Sequence, residues 1–487
     1  MKSGGFRQEH ASYLILGLQV LFRHSRGLRQ VAAGLAAIAA SVAVAYAGPQ
    51  IEHWTLENGA RIYLVQSHSL PMLDVSIVFD GGSRRDPADK AGLADFAAHL
   101  ADKGVYAGAD SRVQPALDEN GITDSWLDLG AVFSASAGRD EFGYALRTLT
   151  YPDVLPQAVA LASHVMAHPS FPTDVLTREQ DRAVAALQES MTRPGPVAAR
   201  AYYGAVFNGH PYGAMDTEDS IRAITVADLK AFHARTVLPC RARISMVGDV
   251  TREQADVIAR DLLSNLPQRD SHSAVPSVSC PALPEIPEVQ PLVQSADMNI
   301  PFQAAQAQIL IGQPGIKRSD EDFLVLVVGN HILGGNGFSS RLMQQVREDR
   351  GLTYGVGSYF SPGLHAGAFT ISLQTRPDQA QEALAVTRQV LADFVENGPT
   401  QEELDAAKAN LIGGFPLMFD SNAKLLSQVA NIARNGLPLD YLDQWPELIE
   451  AVTVQQIKSA FQRVIQPQRM VTVVLGAQDA QALHDTK

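Results

Sequence analysis

Two residue pairs in this 487-residue chain carry side chains suited to catalysis. Arg347 and Tyr354 stand seven positions apart in Val346-Arg347-Glu348-Asp349-Arg350-Gly351-Leu352-Thr353-Tyr354. Hydrolysis by an activated water places negative charge on the former carbonyl oxygen, and a positioned Tyr hydroxyl donates to it. An Arg beside it holds backbone carbonyls with several fixed donors. The pair reads equally as structure, with Arg347 complementing a helix C-terminus and Tyr354 opening a half-buried strand. The second pair, Asp95 and His99, shares one helix face a turn apart, with Ala98 directly before the histidine. A zinc site needs three protein donors and an activatable water, so this pair alone makes neither a metal site nor a base. For His99 a hydrogen-bonded histidine at a helix–sheet interface is the better reading.

These side chains need a scaffold, and the periodicities supply one. Strands are expected at Arg61–Val65, Leu73–Phe79, Val132–Ala137, Ala307–Ile311 and Ala368–Leu373, alternating with helices at Gly92–Lys103, Asp174–Thr192, Asp320–Leu333, Gln379–Glu396 and Glu402–Leu411. Neighbouring strands without crossover helices favour antiparallel pairing and an α+β class. Around Arg347, Gly334 is expected to end one helix in a left-handed conformation, Ser339 to cap the next and Gly351 to stop it. The glycine cluster has no Lys-Ser/Thr after it and is not a phosphate loop.

The chain also repeats itself. Ala223–Gly248 aligns without gaps on Ala451–Gly476 at a shift of 228, with eight identities that include Thr225/Thr453, Pro239/Pro467 and Gly248/Gly476. Two long copies mean duplicated domains rather than a solenoid. Six prolines between Pro267 and Pro291 mark a linker, which places domains at 48–266 and 292–487.

The segment Gly81-Gly82-Ser83-Arg84-Arg85-Asp86-Pro87, with the helix from Ala91 to Gly104, resembles the pitrilysin family of zinc metallopeptidases, the inverzincins. Insulin-degrading enzyme and mitochondrial processing peptidase are members. In that family the helix carries His-x-x-Glu-His, two zinc ligands and a general base; the matching residues here are Asp95, Ala98 and His99. The family's third ligand follows another acidic residue by seven positions, and counting from Glu179 reaches Ala186. The resemblance therefore implies a chain with a degenerate zinc motif and no cofactor of its own. Arg347 and Tyr354 match the family's Arg/Tyr pair, which faces the zinc site across a clamshell chamber, sometimes from a separate chain. His210-Pro211-Tyr212-Gly213 is also family-like, although His210 and His331 read as structural.

The resemblance thus implies a non-catalytic subunit that pairs with a zinc-bearing homologue, which holds the metal, and that supplies Arg347 and Tyr354 in trans on small unfolded peptides. A pseudoenzyme scaffold is the alternative. An autonomous peptidase with a rearranged site, using Asp95, His99 and Glu189, is a third reading.

Arg23, Arg26 and Arg29 precede an apolar run from Val31 to Val44 and then Ala45-Tyr46-Ala47, the form of an export signal cleaved near Gly48. A periplasmic or secreted protein without a stable membrane span is expected. The formal charge is −13, and removing five basic and one acidic residue with positions 1–47 makes it −17, which disfavours nucleic acid. Cys240 and Cys280 can pair in an oxidising compartment or stand as independent thiols.

Overall fold

The two aligned segments fold alike for a local reason. Thr225 accepts from the Asp228 amide and Thr453 from the Gln456 amide, and each N3 side chain returns a bond to its cap. These reciprocal capping boxes start the helices Val226–Thr236 and Val454–Val464. Pro239 and Pro467 then open short 3-10 turns that lead into strands. A computed structural model describes residues 48–477 except 109, 111, 113, 268–279 and 336. The expected export signal at 1–47 and residues 268–279 of the Pro-rich linker lie outside the described residues.

In chain order, the first half contributes β1 (Glu52–Thr55), β2 (Arg61–Gln66), β3 (Met72–Asp80), the short ribbon β4 (Gly104–Val105) and β5 (Leu117–Asp118), β6 (Val132–Ala137), β7 (Glu141–Leu149) and β8 (Arg243–Gly248). The second contributes β9 (Ala296–Ile300), β10 (Ala307–Pro314), β11 (Val356–Phe360), β12 (Ala368–Thr375) and β13 (Val471–Leu475). The sheet orders are β1-β2-β8-β3-β7-β6 and β11-β12-β10-β13-β9. Reading the second from its far edge superimposes β9, β13, β10, β12 and β11 on β2, β8, β3, β7 and β6. Directions match as well: β2/β8 and β9/β13 are parallel, and every other pair is antiparallel. The class is α+β with two duplicated domains.

Between the hairpin and the last strand each half runs through five α-helices among the described residues. The third of each five leaves its own half. Pro194–Phe207 packs on β10 and β13, and Asn422–Asn435 packs on β8 and β3. Pro194 sits in the first turn of the former, where a missing amide costs nothing. The exchange buries Tyr202 completely, with its hydroxyl donating to Phe369 O at 3.0 Å and Thr370 Oγ1 at 2.9 Å. Gly312 on β10 is required by this approach, since a Cβ there would lie 2.0 Å from the Tyr202 hydroxyl.

Several boundaries differ from expectation. The Gly92–Lys103 helix stops at His99. The Asp320–Leu333 helix begins at Phe323 and widens into a π turn over His331–Gly335. Cys240 and Cys280 are joined, with Cα atoms 5.7 Å apart, so the linker's C-terminal part is tied to the first half. Tyr202→Phe removes a buried donor and leaves Phe369 O short of a partner; it should cost about 1–3 kcal/mol in urea unfolding without altering the sheet signature in circular dichroism.

Candidate functional site

In the first half, Asp86 sets the degenerate helix. Its carboxylate accepts from the amides of Gly92 and Ala94, both at 3.1 Å, in front of Leu93–His99. Burial pushes Asp86 up to about 7, against those two bonds and with a contribution from Asp95. Asp95 is itself raised, by desolvation and then by Asp216. Ala98 is buried and places a methyl group where a base would stand.

His99 Nε2 lies 3.1 Å from Glu179 Oε2. The other oxygen of Glu179 accepts from Arg178 Nε at 2.8 Å and Arg182 Nη1 at 2.7 Å. Desolvation opposes ionisation of this carboxylate, 7% exposed, yet Arg178, His99 and Arg182 hold it below its ordinary range. Glu179 is thus the residue that meets His99, while Ala186 is an exposed methyl further along the helix and Glu189 is exposed beyond it. Among the described residues no group of three His, Cys, Asp or Glu side chains is poised for a metal. The donor set does not fit zinc: one imidazole is committed to a carboxylate that two arginines already neutralise. The Glu179 pairing is not apparent from the sequence motif, whose third ligand position falls seven residues later at Ala186. Arg178-Glu179 with Arg182 three residues later was the available signal.

The second half presents the opposite arrangement. Ser340 caps the helix that carries Arg347, accepting from the Met343 amide at 3.5 Å and donating to Gly337 O at 2.8 Å. Gly334 is not left-handed, as expected of a helix terminator; Gly337 is, with φ 50. Gly334 is needed because a Cβ would lie 2.5 Å from Ser358 Oγ on β11. Arg341 clamps the segment to Glu403 at 2.5 and 2.6 Å. The turn over Met343–Glu348 is π-helical, a rare geometry that widens the backbone around Arg347. Gly351, with φ 63, stops it.

Thr353 then ties the approach to β11 down by donating to Gln374 O at 2.6 Å. Tyr354 therefore stands on an anchored turn two residues before the strand, and not in it. It is 85% exposed, and its hydroxyl makes no hydrogen bond among the described residues. Arg347 reaches between two rings, 4.5 Å from the Phe338 centroid and 5.8 Å from that of Tyr354. Among the described residues its carboxylate neighbour is Glu348, at 3.5 Å. The structure thus brings Arg347 and Tyr354 together, and adds Phe338, which spacing had not singled out. Arg350 donates to Gln345 O and is spent on the backbone. His210 receives the Tyr212 amide and contacts Pro287 O, a structural role.

Glu179→Gln removes a buried negative charge that two arginines share, and leaves an amide nitrogen in place of one acceptor oxygen; it should cost about 1–2 kcal/mol at pH 7. Because its folded pKa is depressed, this stability is present above the unfolded value of 4.5 and is lost as pH falls through the folded value. Urea titrations at pH 7 and pH 3 should show the gap between variant and wild type close.

Residues 61–216 match the family described as insulinase, peptidase family M16, and residues 223–411 match the peptidase M16 inactive domain. An uncharacterized zinc protease of Mycobacterium leprae is 26% identical over 424 residues, covering 87% of this chain and 91% of the relative. The crystal structure of a peptidase M16 inactive domain from Pseudomonas fluorescens is 33% identical with a TM-score of 0.80, covering 88% of this chain and 98% of that one. The periplasmic protease PqqL from Escherichia coli shares the fold at 17% identity and a TM-score of 0.69, with 90% of this chain lying on 50% of that one. Asp95 and Ala98 leave the first-half helix without a three-donor metal set among the described residues, and the matches over both halves place the chain in the M16 peptidase family, to which it belongs.

Proposed function

We propose that this chain is the non-catalytic subunit of an exported, heteromeric zinc peptidase, and that it presents Arg347 and Tyr354 to a chamber completed by a zinc-bearing homologue. The exposed Tyr354 hydroxyl beside Arg347 carries the reading. A large aromatic side chain held on an anchored turn, with its polar end unpaired and a guanidinium against its ring, is prepared to meet something outside the chain. On a bound peptide, Arg347 holds a substrate carbonyl through its forked donors and Tyr354 donates to the oxygen that gains charge. The partner provides metal, ligands and base.

Three observations support this assignment. The first-half helix cannot serve a metal, so activity requires another chain. The likeness to about half of PqqL fits one half of a larger assembly. The Cys240–Cys280 bond fits an oxidising compartment, and no described helix is long and apolar enough to cross a membrane. A scaffold without proteolytic function is the second reading, favoured by the match of the second half to a domain described as inactive.

Affinity capture of the mature chain should recover a homologue bearing His-x-x-Glu-His. In the reconstituted complex, Tyr354→Phe should lower kcat on a quenched peptide about 100-fold with zinc content unchanged. Arg347→Ala should reduce kcat/KM largely through KM. Activity indifferent to both variants would establish the scaffold reading, and loss of zinc or of assembly would assign the pair a structural role.

A further inference from the structure

A recess of about 530 Å³ opens where the first half meets the linker, at the end of the sheet from which β2 and β8 start. Arg61, Arg85, Arg241 and Arg243 line it, against two carboxylates, Asp80 and Glu285. This concentration of cations stands on a chain whose formal charge is −13. Focused potential of the opposite sign to the whole molecule draws in small anions.

Arg61 and Arg243 are partners in the parallel register of β2 and β8. Like charges side by side across neighbouring strands, about 4.8 Å apart, repel and destabilise the pair. Neither guanidinium has a carboxylate partner among the described residues. Arg243 Nε is buried and has no hydrogen-bond acceptor. The nearby acids are already engaged: Asp80 is shared by Arg84 at 2.5 Å and Arg85 at 3.1 Å, and Glu141 is held by Arg434 at 2.8 Å. Desolvation, followed by the charge of Arg61, holds Arg243 below its ordinary basicity, so the recess accommodates the second cation at a cost.

The walls are built rather than incidental. The Cys240–Cys280 bond ties the linker down beside Arg241. Arg241 donates to Pro281 O at 2.5 Å and to Arg235 O at 2.6 Å, and Arg85 donates to Pro284 O at 2.9 Å. These bonds spend Arg85 and Arg241 on positioning the wall. Arg61 and Arg243 are left with donors for a ligand.

We propose that Arg61 and Arg243 bind a small phosphoryl anion in this recess. Two planar forks side by side present donors to a tetrahedral dianion, which accepts from both and cancels their repulsion; a single carboxylate matches only one fork. The volume exceeds one phosphate, so a diphosphate should bind more tightly than phosphate.

The test is calorimetric titration of the full chain with phosphate and with pyrophosphate, with chloride matched for ionic strength. Saturable binding, tighter for pyrophosphate and weakened at least tenfold by Arg61→Gln or Arg243→Gln, is expected. Without phosphate, Arg61→Gln should melt at or above the wild-type temperature, because a like-charge contact is gone; a merely structural arginine would lower it. Should Arg243→Gln fail to fold, the exposed Arg61 carries the test. Absence of saturable binding at millimolar pyrophosphate, unchanged affinity in Arg61→Gln, or tighter binding of an acidic hexapeptide than of pyrophosphate would each overturn the proposal.

Discussion

The reciprocal exchange of one helix between the halves constrains everything else in this molecule. Pro194–Phe207 is amphipathic toward the second sheet and Asn422–Asn435 toward the first, so neither half covers its own sheet without the other. Tyr202 makes the constraint specific as well as apolar. A hydroxyl with no exposure must find acceptors, and it finds them on β12 of the other half. The linker reinforces the arrangement: its C-terminal part is tied to the first half by Cys240–Cys280 and reaches the second through Glu288, which accepts from Lys317 and from the Ala366 amide. Rotation of one half against the other would expose the buried faces of both exchanged helices.

On this common frame, the halves use their charged groups in opposite ways. Glu179 and His99 close on each other and on Arg178 and Arg182, so the charges that a metal site would need are satisfied within the half. Arg347 and Tyr354 occupy the helix-to-strand approach of the second half, where the backbone is held by Arg341, Ser340 and Thr353 while the Tyr354 ring is exposed beside Arg347. An anchored backbone beneath an exposed side chain sets the orientation of that side chain before any ligand arrives, which suits the proposed role of the pair. The same asymmetry of spent and unspent charge divides the arginines in and beside the recess, where Asp80 neutralises Arg84 and Arg85 while Arg61 and Arg243 have no carboxylate partner among the described residues.

Much of this was legible in the chain itself. The duplicated Thr-to-Pro-to-Gly segments marked two copies of one domain, and Thr225 and Thr453 start their helices as caps through contacts only three residues long. The loss of the zinc motif at Asp95 and Ala98, and the spacing of Arg347 and Tyr354, were equally visible. Strand β7 and the exchanged helices were not; which sheet each helix covers depends on packing against the other half and leaves no mark within the helix itself. The glycine cluster was read by conformation, yet Gly334 is required by its close approach to Ser358, a distance that depends on another element.

Sequence alone determined what is local: the capped helix starts, the alternating strands, the duplicated order of elements and the residue types available for chemistry. Tertiary structure decided what depends on groups far apart in the chain. His99 meets Glu179 across 80 residues, Tyr202 meets Phe369 across 167, and Arg61 stands beside Arg243 only because β2 and β8 pair in parallel. The physical reason is that capping and periodicity act within a turn or two, whereas the neutralisation of a charge or the satisfaction of a buried hydroxyl depends on whichever element the packed core brings alongside.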